Sequence, residues 1–368
     1  DPSVGAGTVP HQNIGYLFPL GPYYWLLDAS GLPAWVAQRL LWAGLVFAAS
    51  YGTFRLLRWL GWAVTGSLVA AVAYGFSPYL LSYLARLSAI LFPWAALPWL
   101  ILLAARAARE RSWSRAAQFA LVVALVGSVN ATSLLFVGLG PVIWLAADAA
   151  SRRVATRAVA AAAGRIGLLC AAVSAWWIAG LRVQGAYGLP ILDYTESYQT
   201  VASASAPQEI LRGLGYWFFY GGDRLDPWIG PAFPYFNDPL VMFVSFGLAG
   251  VSLLGLFAPF RGRASMLLLL LVGLVLSVGA APLGHSTWYG VFFERFATEL
   301  TAGAALRSTP RAAPLLLLAL ACGLGAGVEA ARRWLSTRRP AGALQRIAPF
   351  VPAFAVAAVF VNLLPWFI

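Results

Sequence analysis

The feature that most constrains this chain is a succession of ten apolar runs with arginine clusters in every second gap between them. The runs cover about 33–54, 62–84, 89–105, 114–129, 132–149, 166–181, 239–260, 264–280, 312–331 and 347–368. A helix that crosses a bilayer needs about 20 apolar residues. Only 10% of the 368 residues are charged and 61% are hydrophobic, whereas a soluble domain carries about 25% charged residues. A water-soluble core of this size would have nowhere to hide that apolar surface. The pattern predicts an all-α, polytopic membrane helix bundle of about ten spans. Pro93 and Pro98 predict a kink or break in the third run, and the nearly continuous fourth and fifth runs predict a tight hairpin.

Arginine placement orients the spans. All 25 basic residues are arginine. One set of gaps holds Arg55, Arg58, Arg106, Arg109, Arg111, Arg115, Arg152, Arg153, Arg157, Arg165, Arg261, Arg263, Arg332, Arg333, Arg338, Arg339 and Arg346, against eight arginines in the other set. The positive-inside rule makes the rich set cytoplasmic. Most acidic residues fall on the opposite side, with only Glu110, Asp148 and Glu329 inside. The net charge of +12 is thus spread over short loops between spans, which argues against a nucleic-acid-binding face. The three outer segments, about 1–32, 184–238 and 282–311, are aromatic and varied, and predict short interfacial helices. The expectation is one domain over 1–368 in the plasma (inner) membrane, multi-pass, with its working loops extracytoplasmic. Because the chain opens at Asp1 within a polar loop, a further helix is expected upstream.

Signatures of soluble enzymes are absent from the sequence: no Walker loop, HExxH, GxSxG or dinucleotide fingerprint. Cys170 and Cys322 lie inside apolar runs and read as packing residues. Asn130-Ala131-Thr132 matches a glycosylation sequon by chance, in a turn against the bilayer. Asp193 and Glu196, three apart, would share a helix face and are candidate general bases; a solvated or capping role accounts for them as well. Asp223 and Asp226 have the same spacing but lie between glycines and Pro227, which predicts a turn with capping carboxylates. Arg86, Arg182, Arg307 and Arg311 stand near span ends. Arg307 and Arg311 would face one phosphate together on a helix, guanidinium to phosphate oxygen; snorkelling to headgroups is the alternative. His11 and His285 read as hydrogen-bonding loop residues rather than metal ligands. The outer loops hold no DxD pair, so no cofactor is indicated and no divalent metal is called for.

The stretch HQNIGYLFPLGPYYWLLDASGLPAWVAQRLLW resembles the first outer loop and following helix of the actinobacterial arabinofuranosyltransferase D family, membrane glycosyltransferases of the GT-C class. Gln12, Gly15, Tyr16, Leu17, Phe18, Pro19, Gly21, Pro22, Leu32, Pro33, Trp35, Gln38, Arg39 and Trp42 carry the match. LDYTES at 192–197 is similar to a segment of the family's long outer loop. Leu306-Arg307 with Arg311 and Pro314 is similar to a late segment, although Arg311 and Ala313 replace the family's Lys and Asp.

The resemblance implies a GT-C-like fold and a pentosyl transfer, with inversion, from decaprenyl-phosphoryl-arabinofuranose to cell-envelope arabinan at the extracytoplasmic face. In that reading Asp1, Asp193 and Glu196 are the candidate bases, with the main base expected upstream of the chain. Arg307, Arg311 and Arg86 would bind the donor phosphate, and Gln12, Tyr16, His11, Tyr194 and His285 would stand in the substrate loops. The partners would be a polyprenyl-phosphate-linked sugar, a glycan acceptor and the lipid bilayer. The alternatives are a GT-C enzyme for another sugar (mannosyl or oligosaccharyl), a lipid or glycan transporter or flippase, and a non-catalytic scaffold.

Overall fold

A computed structural model of the chain describes residues 16–84, 86–188, 195–224, 226–282, 287–337 and 343–367. Among the described residues the regular structure is helical, and Gly222 pairs with Pro227 in an isolated antiparallel bridge. The principal helices are α1 (Leu20–Ala29), α2 (Ala34–Trp59), α3 (Val64–Gly75), α4 (Pro78–Leu84), α5 (Leu91–Arg109), α6 (Trp113–Val126), α7 (Ala131–Ala150) and α8 (Thr156–Tyr187). They continue as α9 (Tyr198–Ala204), α10 (Pro207–Leu211), α11 (Pro239–Gly255), α12 (Arg263–Val278), α13 (Trp288–Glu299), α14 (Ala313–Thr337) and α15 (Val351–Val361).

Each of the ten apolar runs contains a helix, and the chain is an all-α, multi-pass membrane protein. The expected count of ten crossings is loose. Among the described residues six helical stretches are long and apolar enough to span: Ala34–Trp59, Val64–Leu84, Ser88–Arg109, Ala131–Ala150, Thr156–Tyr187 and Thr309–Thr337. A seventh results if Gly230–Asn237 and Pro239–Gly255, bent by 80°, form one span. Trp113–Val126, Arg263–Val278 and Gln345–Val361 are apolar but shorter, at 10–17 residues. A string of apolar letters does not show where a helix stops. In the last run, Pro349, Pro352 and Pro365 confine the α-helix to Val351–Val361; the fourth ends at Val126, before Gly127.

The chain divides into two compact units. The first, Asp1–Leu45 with Ser88–Ser197, is built on α5, which packs with α6, α7 and α8. Nearly all of α5 is buried, Trp94, Leu97, Leu100 and Ile101 included. In lipid such burial stabilises through close packing rather than exclusion of water. The expected break does not occur: α5 runs through Pro98 as one element, and Pro93 falls in its first turn, where a missing N–H costs nothing. The expected hairpin is also absent, because α6 and α7 each pack on α5 instead of along one another. Ser112 caps α6 by accepting from Arg115 N. Asn130 caps α7, its Oδ1 accepting from Ser133 N at 2.9 Å, which gives the sequon asparagine a structural role. At the far ends of α5 and α7, Arg109 reaches the fully buried Asp148 at 3.0 Å, with Arg153 at 3.9 Å.

The second unit, Val46–Leu87 with Tyr198–Ile368, is organised around α14. Helices α3, α11, α12 and α15 pack on it, and it is buried from Ala313 to Ala326 almost without interruption. Glycines allow that density. A Cβ on Gly255 of α11 would stand 1.9 Å from Gly323 O, and one on Gly325 would stand 2.4 Å from Gly66 O of α3. Gly323 and Gly327 meet α11 while Gly325 meets α3, so small residues bring two backbones close to α14, the usual way helices associate in lipid.

Candidate functional site

The segment between α9 and α11 contains a buried polar network that sets its shape. Glu209 lies in α10, and Arg212 follows that helix directly. Gly213 (φ +78°) and Gly215 (φ +94°) turn the chain, a conformation that costs glycine little, and a 3-10 turn follows over Trp217–Tyr220. The Arg212 side chain is only 2% exposed and saturated: Nη1 donates to Glu209 Oε1 at 2.9 Å and Nε to Ser245 Oγ at 2.8 Å. Its Nη2 donates to Tyr235 O, and the guanidinium lies 4.4 Å from the Phe246 ring centre. The second oxygen of Glu209 accepts from Tyr220 OH at 2.6 Å. Burial, with the Glu209 charge beside it, pushes the Tyr220 phenol far above its usual range, so it stays a donor. With both oxygens engaged in this way, Glu209 holds the segment in shape.

The network supports an aromatic layer. Tyr216 stacks on Tyr83 of α4 at 4.3 Å, Phe218 lies 4.7 Å from Trp228, and Trp217 meets Trp228 edge-on at 6.0 Å. Arg86 belongs to this layer: its Nη2 donates to Trp228 O at 2.8 Å and its guanidinium stands 5.3 Å from the Phe218 ring. Between Phe218 and Trp228 runs the turn predicted from the sequence, in which Asp223 Oδ1 accepts from Asp226 N at 3.2 Å.

Arg307 and Arg311 sit where the chain enters the long helix α14. The stretch is not α-helical as the four-residue spacing assumed: Thr309–Ala312 is a 3-10 turn that leads into α14. Arg307 is buried, with Nη1 donating to Ala304 O, while Arg311 is half-buried. Glu196 lies in coil just before α9 and is half-buried. Asp1, His11, Gln12, Asp193, Tyr194 and His285 lie outside the described residues. Tyr16 lies at their edge, half-buried. Tyr198, at the start of α9, donates to Glu294 of α13. That hydrogen bond, with burial and the Glu294 charge behind it, raises the Tyr198 phenol. Among the described residues no group of three His, Cys, Asp or Glu could hold a metal ion.

Sequence reasoning missed Glu209, Arg212 and Tyr220 as a unit. The Glu-x-x-Arg spacing was visible, but Ser245 and Tyr235 join from residues far along the chain.

The model of the family described as α-(1→3)-arabinofuranosyltransferase, N-terminal GT-C domain, matches residues 1–367. The chain belongs to that family. Within this GT-C family it is 33% identical over 333 residues to the α-(1→3)-arabinofuranosyltransferase of Mycolicibacterium smegmatis (strain ATCC 700084 / mc(2)155). It is 32% identical over 337 residues to that of Mycobacterium tuberculosis (strain ATCC 25618 / H37Rv). Each match covers 86% of this chain and 22% of the relative, so the chain spans about a fifth of the length of these curated relatives. A cryo-EM structure of arabinofuranosyltransferase AftD from Mycobacteria shares the fold, with a TM-score of 0.66 over 97% of this chain and 23% of that one, at 24% identity.

Proposed function

We propose that this chain is the membrane-embedded part of an enzyme that transfers arabinofuranose from a polyprenyl-phosphate donor, decaprenyl-phosphoryl-arabinofuranose, to a cell-envelope arabinan. The transfer takes place at the extracytoplasmic face of the plasma membrane, within one GT-C-like domain whose arginine-rich loops face the cytoplasm. The observation that carries this reading, beside the family, is the pair Arg307 and Arg311 at the start of the 29-residue helical stretch Thr309–Thr337. The amino end of a long helix carries partial positive charge, and two guanidinium groups there favour a phosphate.

The chemistry is a single displacement. An acceptor hydroxyl attacks the anomeric carbon, a carboxylate takes its proton, and the bond to the lipid phosphate breaks with inversion. The phosphate leaves with the electron pair, stabilised by Arg307 and Arg311. The carboxylates of this chain proposed for the base are Asp1, Asp193 and Glu196. The guanidinium groups stabilise the leaving group in this scheme, and no metal is invoked.

The test is transfer by the full-length protein in detergent, with radiolabelled donor and a short arabinan acceptor. Arg307→Ala and Arg311→Ala are each expected to lower transfer by about 100-fold, the usual cost of removing one such donor. Unchanged transfer would remove the two arginines from the site. A wild-type protein that neither binds nor uses the donor would overturn the reading as a whole.

A further inference from the structure

Helix α1 is a short helix with no buried residue, yet it is held in place. Tyr23 OH donates to Ala37 O of α2 at 2.7 Å, and Ser128 Oγ donates to Phe18 O at 2.5 Å. The turn after α1 closes with Leu32 N bonded to Leu27 O at 3.0 Å, Gly31 taking φ +77°, the usual glycine-terminated helix end. Beside the turn that joins α1 to α2 lies a cavity of about 310 Å3 lined by Tyr24, Trp25, Asp28, Leu32, Ala34 and Ala37. Tyr24 and Asp28 are one helical turn apart, so they lie on one face. Trp25 is 71% exposed, a large indole surface left uncovered.

The lining restricts what can enter. A hydrocarbon chain is disfavoured because it would strip water from the Asp28 carboxylate. A phosphate is disfavoured by like charge. The volume is at the lower end for small-molecule sites, about right for one or two sugar rings. An aromatic face for the apolar side of a ring, with a carboxylate to accept from its hydroxyls, suits a neutral saccharide.

We propose that this cavity is a saccharide subsite that holds a ring of the acceptor glycan away from the reacting end. The proposal rests on the arabinan-transfer reading above. Asp28 and Trp25 here are positioning residues and not part of the chemistry.

The experiment uses the full-length protein in phosphatidylcholine nanodiscs and a synthetic linear arabinofuranosyl hexasaccharide. Binding is read by saturation-transfer NMR and calorimetry, and transfer is followed in parallel. Trp25→Ala and the isosteric Asp28→Asn are each expected to weaken hexasaccharide binding tenfold or more. The acceptor KM should rise by a similar factor, with kcat and the donor KM little changed. Unchanged binding and KM in both variants would overturn the proposal even if transfer is intact. So would a fall in kcat at constant acceptor KM, or displacement of the oligosaccharide by phosphatidylethanolamine, which would assign the cavity to a cationic headgroup. If the wild type binds the hexasaccharide through Trp25 and Asp28 but transfers nothing, the subsite stands and the transferase reading falls.

Discussion

Glu329 of α14 accepts a hydrogen bond from the backbone N–H of Gly66, in the first turn of α3, at 3.2 Å. Ala63, at the N-cap of α3, provides no side-chain cap, so a carboxylate from another helix takes that part, steadied by Arg332 at 3.3 Å. Replacing Glu329 with Ala should lower stability by about 1–2 kcal/mol, the range for lost caps. Thermal unfolding in detergent would check this; an unchanged midpoint would mean that the first turn of α3 finds another acceptor.

The crossing of α11 and α14 makes a sharper demand. Because a Cβ on Gly255 would meet Gly323 O at 1.9 Å, Gly255→Ala forces the two backbones apart. The expected loss is about 1–3 kcal/mol, as for other overpacked sites. Gly247 on the same helix has open space where a Cβ would go, and Gly247→Ala should be tolerated. Equal melting temperatures for the two variants would contradict the close approach.

A third prediction concerns the buried pair Arg212 and Glu209. Removing one partner leaves a buried charge unpaired, at a cost of about 3–5 kcal/mol. Arg212→Met should therefore be far worse than the double variant Arg212→Met with Glu209→Gln, in which neither charge remains. A double-mutant cycle on unfolding midpoints measures the difference, and strict additivity would deny the pairing.

Acid should act through Glu110. Hydrogen bonds from Arg115 first and then Arg106, with their charges, hold its carboxyl below the ordinary 4.5. A lowered folded-state pKa means that the contribution to stability is present above the unfolded value and is lost as pH falls through the folded one. Wild type and Glu110→Gln should thus differ in melting temperature at about pH 7 and converge as the pH falls through the lowered folded-state pKa. The side chain is 39% exposed, so the difference should be small and should shrink in high salt.

Helices and their order were legible because apolar runs and arginine clusters obey one-dimensional rules. How far each helix runs was less so, since Pro98 is absorbed within α5 while Pro352 sits at the start of α15. The glycines of the CGLGAG stretch were plainly present, but nothing local tells that Gly325 meets Gly66 and Gly323 meets Gly255. At the site, the Asp223–Asp226 turn was readable from its own residues. The cage around Arg212 was not, because its partners Tyr235 and Ser245 lie 23 and 33 residues away. Asp28 was visible only as one outer carboxylate among several, and its place beside Trp25 in a cavity lining was not.

Helix α8, at 32 residues, carries its own measure of depth. At 1.5 Å per residue it is about 48 Å long, against a hydrocarbon core of about 30 Å. Tilt alone would have to reach about 50° to hide it, beyond the range of about 0–40° seen for membrane helices. Some turns must stand clear of the oily layer, and the side chains mark which. Between Arg165, whose Nη1 donates to Arg111 O beside the Trp113 ring, and Arg182 lie 166–181 without a charge. With those two arginines at the water boundaries, the turns before Arg165 would form a post standing in the aqueous phase. A bilayer a few ångströms thicker or thinner would shift the post by the same amount, and would move with it the loop that Arg165 holds.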